Sequence, residues 1–263
     1  MRGLLKQSNG CLSRPILSNI KAGFTMYKRA IIICGGKGSR LLPFTRNIPK
    51  GLLQVGDYPV LEIIVRQLKY YDFSDITFSV YHFAQSIIDY FGNGSKWNLR
   101  ITYSVEDFPL GTAGPLKILK DLPDNLIVIN CDILADLNFK DFFDYHVQNR
   151  NLFTIAAYKK KYPIPYGVLQ TNASGQLLKI DEKPEWIQIN AGIYATGKRI
   201  VDFIPNCKTY GMDQLIYDLL RKNQPMAVYP FEGYWQDIGS KEEYKKAIAE
   251  SQLHDQVYMQ KQN

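Results

Sequence analysis

The sequence predicts an α/β fold: a mixed, mostly parallel central sheet with helices on both faces, plus a smaller β-rich region late in the chain. Three observations predict it. From Arg29 onward, short β-rich runs alternate with amphipathic stretches, as they do where crossover helices join parallel strands. The run Leu126 to Ile129 is apolar throughout, the mark of a strand buried on both faces. Past residue 150 the character changes, and closely spaced strands replace the strand-helix alternation.

The elements follow in order. Residues 1–25 mix Ser, Asn, Gly and basic residues without a sustained period, and are expected to be a leader, either disordered or an organellar transit peptide. Met26 stands just before the first strand, Ala30 to Cys34. A helix over Leu61 to Tyr70, a strand over Ile76 to Val80 and a helix over Phe83 to Phe91 come next. Then come a strand over Ile101 to Val105, a helix after Thr112, the strand Leu126 to Ile129 and a helix from Phe139 to about Asn149. Strands are expected at Phe153 to Tyr158, Gly167 to Gln170 and Leu177 to Ile180, the last two joined by the turn residues Asn172-Ala-Ser-Gly175. Helices at about Arg199 to Phe203 and at Met212 to Arg221 precede Ser240-x-x-Glu243, a capping box that opens a final helix running to about Gln252. One domain over 26–252 and a tail over 253–263 result.

Composition narrows the function. With 263 residues, 46% hydrophobic and 22% charged, the chain can fill one large or two small cores. No apolar run approaches the ~20 residues of a membrane span, so no membrane partner is expected. Of the net charge of +7, Arg2, Lys6, Arg14, Lys21 and Lys28 supply +5 with no acid among them, leaving +2 for the rest. That is no footprint for a nucleic-acid partner. Cys11, Cys34, Cys131 and Cys207 form no C-x-x-C pair, which fits a reducing, cytoplasmic setting. His82, His146 and His254 sit in no hydrolase motif.

The chemistry gathers at strand ends. The first strand runs into Gly35-Gly36-Lys37-Gly38-Ser39-Arg40, with Pro49-Lys50 close behind. Glycines there let backbone N–H groups approach a phosphate. The spacing is neither that of a P-loop nor that of a dinucleotide fingerprint. Arg40 offers a planar fork and Lys50 a mobile point charge, and Pro43 and Pro49 stiffen the loop that carries both. Asn130-Cys131-Asp132 lies where the strand Leu126 to Ile129 emerges at the sheet's carboxyl edge, the ligand side of open α/β sheets. Tyr234-Trp235-Gln236-Asp237-Ile238-Gly239 offers a second strand-end carboxylate, and two such aspartates can share one Mg²⁺ with phosphate oxygens. Taken singly, Asp132 is equally a helix cap, and Arg40 and Lys50 are surface cations.

Gly35-Gly-Lys-Gly-Ser-Arg-Leu-Leu-Pro-Phe-Thr-Arg-Asn-Ile-Pro-Lys50 resembles the signature of the sugar-1-phosphate nucleotidyltransferases, and the likeness extends over about residues 28 to 250. Val80-Tyr-x-x-Ala-Gln85, Pro165-Tyr-Gly-Val168 and Tyr234-Trp-x-Asp-Ile-Gly239 resemble the mannose-1-phosphate guanylyltransferase-like branch. The resemblance implies a Rossmann-like nucleotide-diphospho-sugar transferase fold, with a nucleoside triphosphate, GTP favoured, and a sugar 1-phosphate as partners. Gly35, Gly36, Gly38, Ser39, Gln85, Gly111, Thr112 and Ala113 would bind the nucleotide. Gly167, Glu182, Lys183 and Asn190 would bind the sugar phosphate, Asp132 and Asp237 would hold Mg²⁺, and Arg40 and Lys50 would be catalytic. The triphosphate would be attacked in line by the sugar phosphate with loss of pyrophosphate. The attacking phosphate is already ionised, so no histidine base is needed.

Three positions depart from the family pattern: Cys34 where Ala is usual, Cys131 where Gly is usual, and Gly51 where Pro is usual. Two other readings stay open at this level. One is a non-catalytic sugar-nucleotide-binding regulator on the same fold. The other is a glycosyltransferase, for which Asp132 to Asp136 has the wrong D-x-D spacing. A homo-oligomer is compatible with either.

Overall fold

A computed structural model describes residues 28–206 and 208–251. The expected leader and tail lie outside them. β1 (Lys28–Cys34) opens a seven-stranded sheet, followed by the small hairpin β2 (Gln54–Val55) and β3 (Tyr58–Pro59), then α1 (Val60–Tyr70), β4 (Phe73–Val80), α2 (Ala84–Phe91) and β5 (Arg100–Val105). α3 (Pro115–Ile118), β6 (Leu126–Asn130), β7 (Ile133–Ala135) and α4 (Phe139–Gln148) complete the first half. The second half holds β8 (Phe153–Lys161), the hairpin β9 (Val168–Thr171) and β10 (Leu177–Asp181), β11 (Trp186–Thr196), α5 (Met212–Arg221), β12 (Met226–Phe231), β13 (Trp235–Asp237) and α6 (Lys241–Glu250).

The sheet order is β12-β8-β11-β6-β1-β4-β5. β11 runs antiparallel to both β6 and β8, and the remaining pairings are parallel. β1 shows why its residues carry no polar alternation. Ala30, Ile32 and Cys34 enter the apolar layer shared with α1, and Ile31 and Ile33 enter the layer on the other face. A strand covered on both sides needs apolar residues at every position.

β4 and β5 lie on one side of β1, and the chain then crosses back to place β6 on the other. The carboxyl ends of β1 and β6 therefore border the crevice where an open α/β sheet reverses direction, the usual ligand position. The sequence reading missed β11 and β12. Residues 186–196, read there only as short motif segments because Gln188, Asn190 and Gly192 interrupt the apolar run, form the longest strand among the described residues. The helix expected after Thr112 is a single turn, and the one expected near Arg199 is a 3₁₀ helix over Lys198–Phe203. The predicted turn forms as read: the Asn172 side-chain oxygen accepts from the Ser174 and Gln176 N–H groups.

Candidate active site

The loop after β1 is built to stay open. Gly38 takes a left-handed conformation (φ 64°), which glycine adopts without strain, and its carbonyl accepts from the buried Thr45 hydroxyl at 2.8 Å. A short 3₁₀ turn, Ser39–Leu41, buries Leu41 and leaves Arg40 exposed. A second, Lys50–Leu52, directs the Lys50 ammonium to Asp132 Oδ2 at 2.5 Å. Burial works against the Lys50 charge, but the Cys131 sulfur and the Asp132 carboxylate outweigh it, so Lys50 holds its proton more firmly than a free lysine.

Asp237 reaches the same place from 105 positions further along the chain. β13 pairs antiparallel with β7, and Ile238 N–H donates to the Asp132 carbonyl at 3.0 Å, so the two aspartates sit side by side. The Ser240 hydroxyl caps α6 by accepting from Glu243 N–H, while the Glu243 carboxylate takes a bond from Gln236 and ties the helix to β13. Gly239 marks the point of convergence. A methyl group built on it would stand 2.9 Å from Asp237 Oδ1, 3.0 Å from Arg40 Nη2 and 3.6 Å from Asp132 Oδ2. Burial, and then the neighbouring Asp132 charge, raise the Asp237 carboxyl above its ordinary value, with the Gly239 N–H, Lys50 and Arg40 offsetting this only in part. Two converging carboxylates, one of them paired with Lys50, suit a hard divalent cation that completes its shell with phosphate and water. Among the described residues no cluster of three His, Cys, Asp or Glu side chains offers a metal a fuller protein cage.

The chain matches the nucleotidyl transferase family over residues 29–253. It belongs to that family. A mannose-1-phosphate guanyltransferase from Yarrowia lipolytica is 31% identical over 225 residues, covering 82% of this chain and 62% of its own length. A UTP–glucose-1-phosphate uridylyltransferase from a Synechocystis strain is 30% identical over 241 residues, covering 84% of this chain and 62% of its own. The chain thus spans less than two thirds of the length of these relatives. The crystal structure of HddC from Yersinia pseudotuberculosis complexed with GMP-PN is similar with a TM-score of 0.66 and 25% identity, covering 85% of this chain and 99% of that one.

The remaining predicted residues are less tightly gathered. Asn190 accepts from Gly192 N–H at 3.0 Å in a bulge of β11, and Trp235 Nε1 donates to the Ala191 carbonyl at 3.0 Å, so this segment abuts the Asp237 strand. Gly167 and Glu182 lie together at the foot of the β9–β10 hairpin: a methyl group on Gly167 would come within 2.8 Å of Glu182 Oε2. The exposed Lys183 holds a left-handed φ of 46°, a strained conformation for a residue with a side chain. Gln85 is exposed and donates to Asp89 within its own helix. Thr112 accepts from Met212 N–H at 2.7 Å, and Ala113 N–H bonds the Tyr210 carbonyl, as does Gly114 N–H, so the Gly111–Gly114 loop docks onto the start of α5.

Glu106, just past β5, went unread in the sequence. Its carboxylate accepts from the Ser79 hydroxyl and from Leu110 N–H, both at 2.9 Å, and a methyl group on Gly35 would stand 3.0 Å from its Oε1. Burial raises its pKa. An acid immediately after a strand, on the ligand side of the sheet, was the signal available for it. His146, in contrast, is buried on α4 against the Thr154 hydroxyl and is structural.

Proposed function

We propose that the chain transfers a nucleoside monophosphate from a triphosphate, GTP favoured, to a sugar 1-phosphate, mannose 1-phosphate favoured, and releases pyrophosphate. The observation that carries this reading is the meeting of Asp132, Asp237, Arg40 and Lys50 around Gly239. Arg40 would steady the departing pyrophosphate with its planar fork. Lys50, with three protons to donate, would keep Asp132 and still reach the α-phosphate. Asp132 and Asp237 would hold Mg²⁺, which when bound spreads the charge of the phosphates.

Lys183 would guide the sugar phosphate, whose ionised oxygen attacks in line without a protein base. Gly35, Gly36, Gly38 and Ser39 would receive the phosphates, and Gly111 to Ala113 and Gln85 the base side. The cytoplasm is the proposed setting. It agrees with the unpaired Cys34 and Cys131. No helix among the described residues is long and apolar enough to cross a membrane, and neither membrane nor nucleic acid enters this reading as a partner.

The test is a matrix of four nucleoside triphosphates against mannose, glucose, hexosamine and heptose 1-phosphates with Mg²⁺, scored by pyrophosphate release. Turnover is expected to be fastest with GTP and mannose 1-phosphate. Tight nucleotide binding with no pyrophosphate from any pair would make the chain a regulator and overturn the proposal.

A further inference from the structure

Two of the three departures from the family pattern are neighbours in space. Cys34 ends β1 and Cys131 follows β6 directly, and their preceding residues, Ile33 and Asn130, are lateral partners, with Cys131 N–H donating to the Ile33 carbonyl at 3.2 Å. Both cysteines enter the same apolar layer, beneath α1, so their side chains leave the sheet on one face. The Cys34 thiol donates to the Ile32 carbonyl at 3.6 Å, and both cysteines are free and buried. Adjacent strands are spaced about 4.8 Å, within the Cα separation of 4.4–6.8 Å that a disulfide spans. Cys131 is joined to Asp132, Lys50 interacts with both thiols, and β1 leads straight into the Gly35–Gly38 loop.

We propose that Cys34 and Cys131 form a dithiol redox site under the nucleotide pocket, which a peroxide closes to a disulfide and which then switches the transferase off. One thiol sulfur attacks the O–O bond of hydrogen peroxide, becoming a sulfenic acid and releasing water. The second thiol displaces the hydroxyl as another water and forms the S–S bond. The pair loses two protons and two electrons, and the peroxide becomes two waters. A dithiol reductant reverses the step by thiol–disulfide exchange. A bridge of about 2.05 Å with its dihedral at about 90° turns side chains that leave neighbouring strands in parallel toward each other, and so twists the end of β6 against that of β1. Asp132 and the phosphate loop then shift against each other, in a site where displacement by about 1 Å can cost 10²-fold in rate.

The switching half of this proposal rests on the function proposed above; the bridge itself does not. The test oxidises the full-length protein with hydrogen peroxide, blocks free thiols, and maps cysteine peptides by mass spectrometry without reduction. Pyrophosphate release and GTP affinity are measured on the same samples. A Cys34–Cys131 peptide is expected, with activity lowered about 10²-fold and restored by dithiothreitol. Cys34→Ala and Cys131→Ser are expected to fold, as judged by their melting transitions, and to keep activity and GTP affinity in peroxide. Absence of the linked peptide overturns the proposal. So does a linked peptide with GTP affinity and turnover both unchanged, or variants that lose as much to peroxide as the wild type. Because the peptide map needs no turnover, failure of the bridge and failure of the transferase assignment are read separately.

Discussion

Glu62 and Asp237 are both acids turned into the protein, and their surroundings treat them in opposite ways. Glu62, on α1, accepts from Arg66 at 2.6 and 2.8 Å and from the Tyr90 hydroxyl, while the Arg66 guanidinium lies 4.1 Å over the Tyr58 ring. Burial alone would raise its pKa, but the bonds from Tyr90 and Arg66 prevail and hold it below the ordinary value. Asp237 is raised, because burial and the charge of Asp132 exceed what Gly239, Lys50 and Arg40 return. One acid completes a closed set of partners within the helix layer. The other has, among the described residues, only the Gly239 N–H as a hydrogen-bond donor and a like charge beside it, an arrangement that a cation brought from solution would relieve.

The largest test of this contrast removes a site charge. Asp237→Asn is expected to lower the rate of pyrophosphate release by about 10²- to 10³-fold, the usual cost of one charge-stabilising group, with the far-ultraviolet circular dichroism unchanged. Glu106→Gln sharpens the comparison with a third buried acid. It should lower stability to urea by about 1 kcal/mol and leave the preference for GTP over UTP in kcat/KM unchanged, since both carboxylate oxygens are taken by Ser79 and Leu110. A fall in that preference would show that Glu106 reaches the base. Glu62→Gln should do the reverse of Asp237→Asn: kcat is kept, and stability to urea drops by about 1–2 kcal/mol as Arg66 loses its partner.

The acid side of stability adds a smaller effect with opposite signs. The folded pKa of Glu62 is depressed, so its contribution is present above the unfolded value and is lost as pH falls through the folded one. The folded pKa of Asp237 is elevated, so its burden appears as pH rises through the carboxylate range and is complete above the folded value. Asp237→Asn is therefore expected to melt at a higher temperature than wild type at pH 7, an advantage that vanishes in acid. His146, which burial pushes down to about 4, has the same sign as Glu62 and costs stability between pH 6.5 and about 4. Comparing each variant with wild type at the same pH removes the His146 contribution. A lower melting temperature for Asp237→Asn at pH 7 would show that its charge is already satisfied in the free protein.

The two acids also differ in how well the sequence announces them. Asp132 is legible because it follows the apolar strand β6, and the glycines and prolines between Gly35 and Lys50 declare a stiff phosphate loop within a single stretch; the strand expected to end at Asp237 is only Trp235–Asp237. What brings the aspartates together is the β7–β13 pairing, and neither three-residue strand has a pattern of its own. β11 escaped because the polar residues of its bulge broke the period. Thr112, expected from the sequence to bind the nucleotide, accepts from Met212 N–H, which lies 100 positions away. Local chemistry is written locally, whereas satisfaction of a polar group depends on which distant backbone the fold delivers. Glu62 is an instance: its i,i+4 partner Arg66 is visible in the sequence, but Tyr90 from α2 is not.

The central claim is that Asp132 and Asp237 hold one metal ion jointly with a bound triphosphate. Calorimetric titration of Mg²⁺ into the protein saturated with a non-hydrolysable GTP analogue tests it directly. Binding of a single divalent ion to the wild-type complex, weakened in Asp132→Asn and in Asp237→Asn alike and unchanged in Glu62→Gln, is the predicted result. Wild-type Mg²⁺ affinity in Asp237→Asn would contradict it, leaving the two carboxylates adjacent without a shared task.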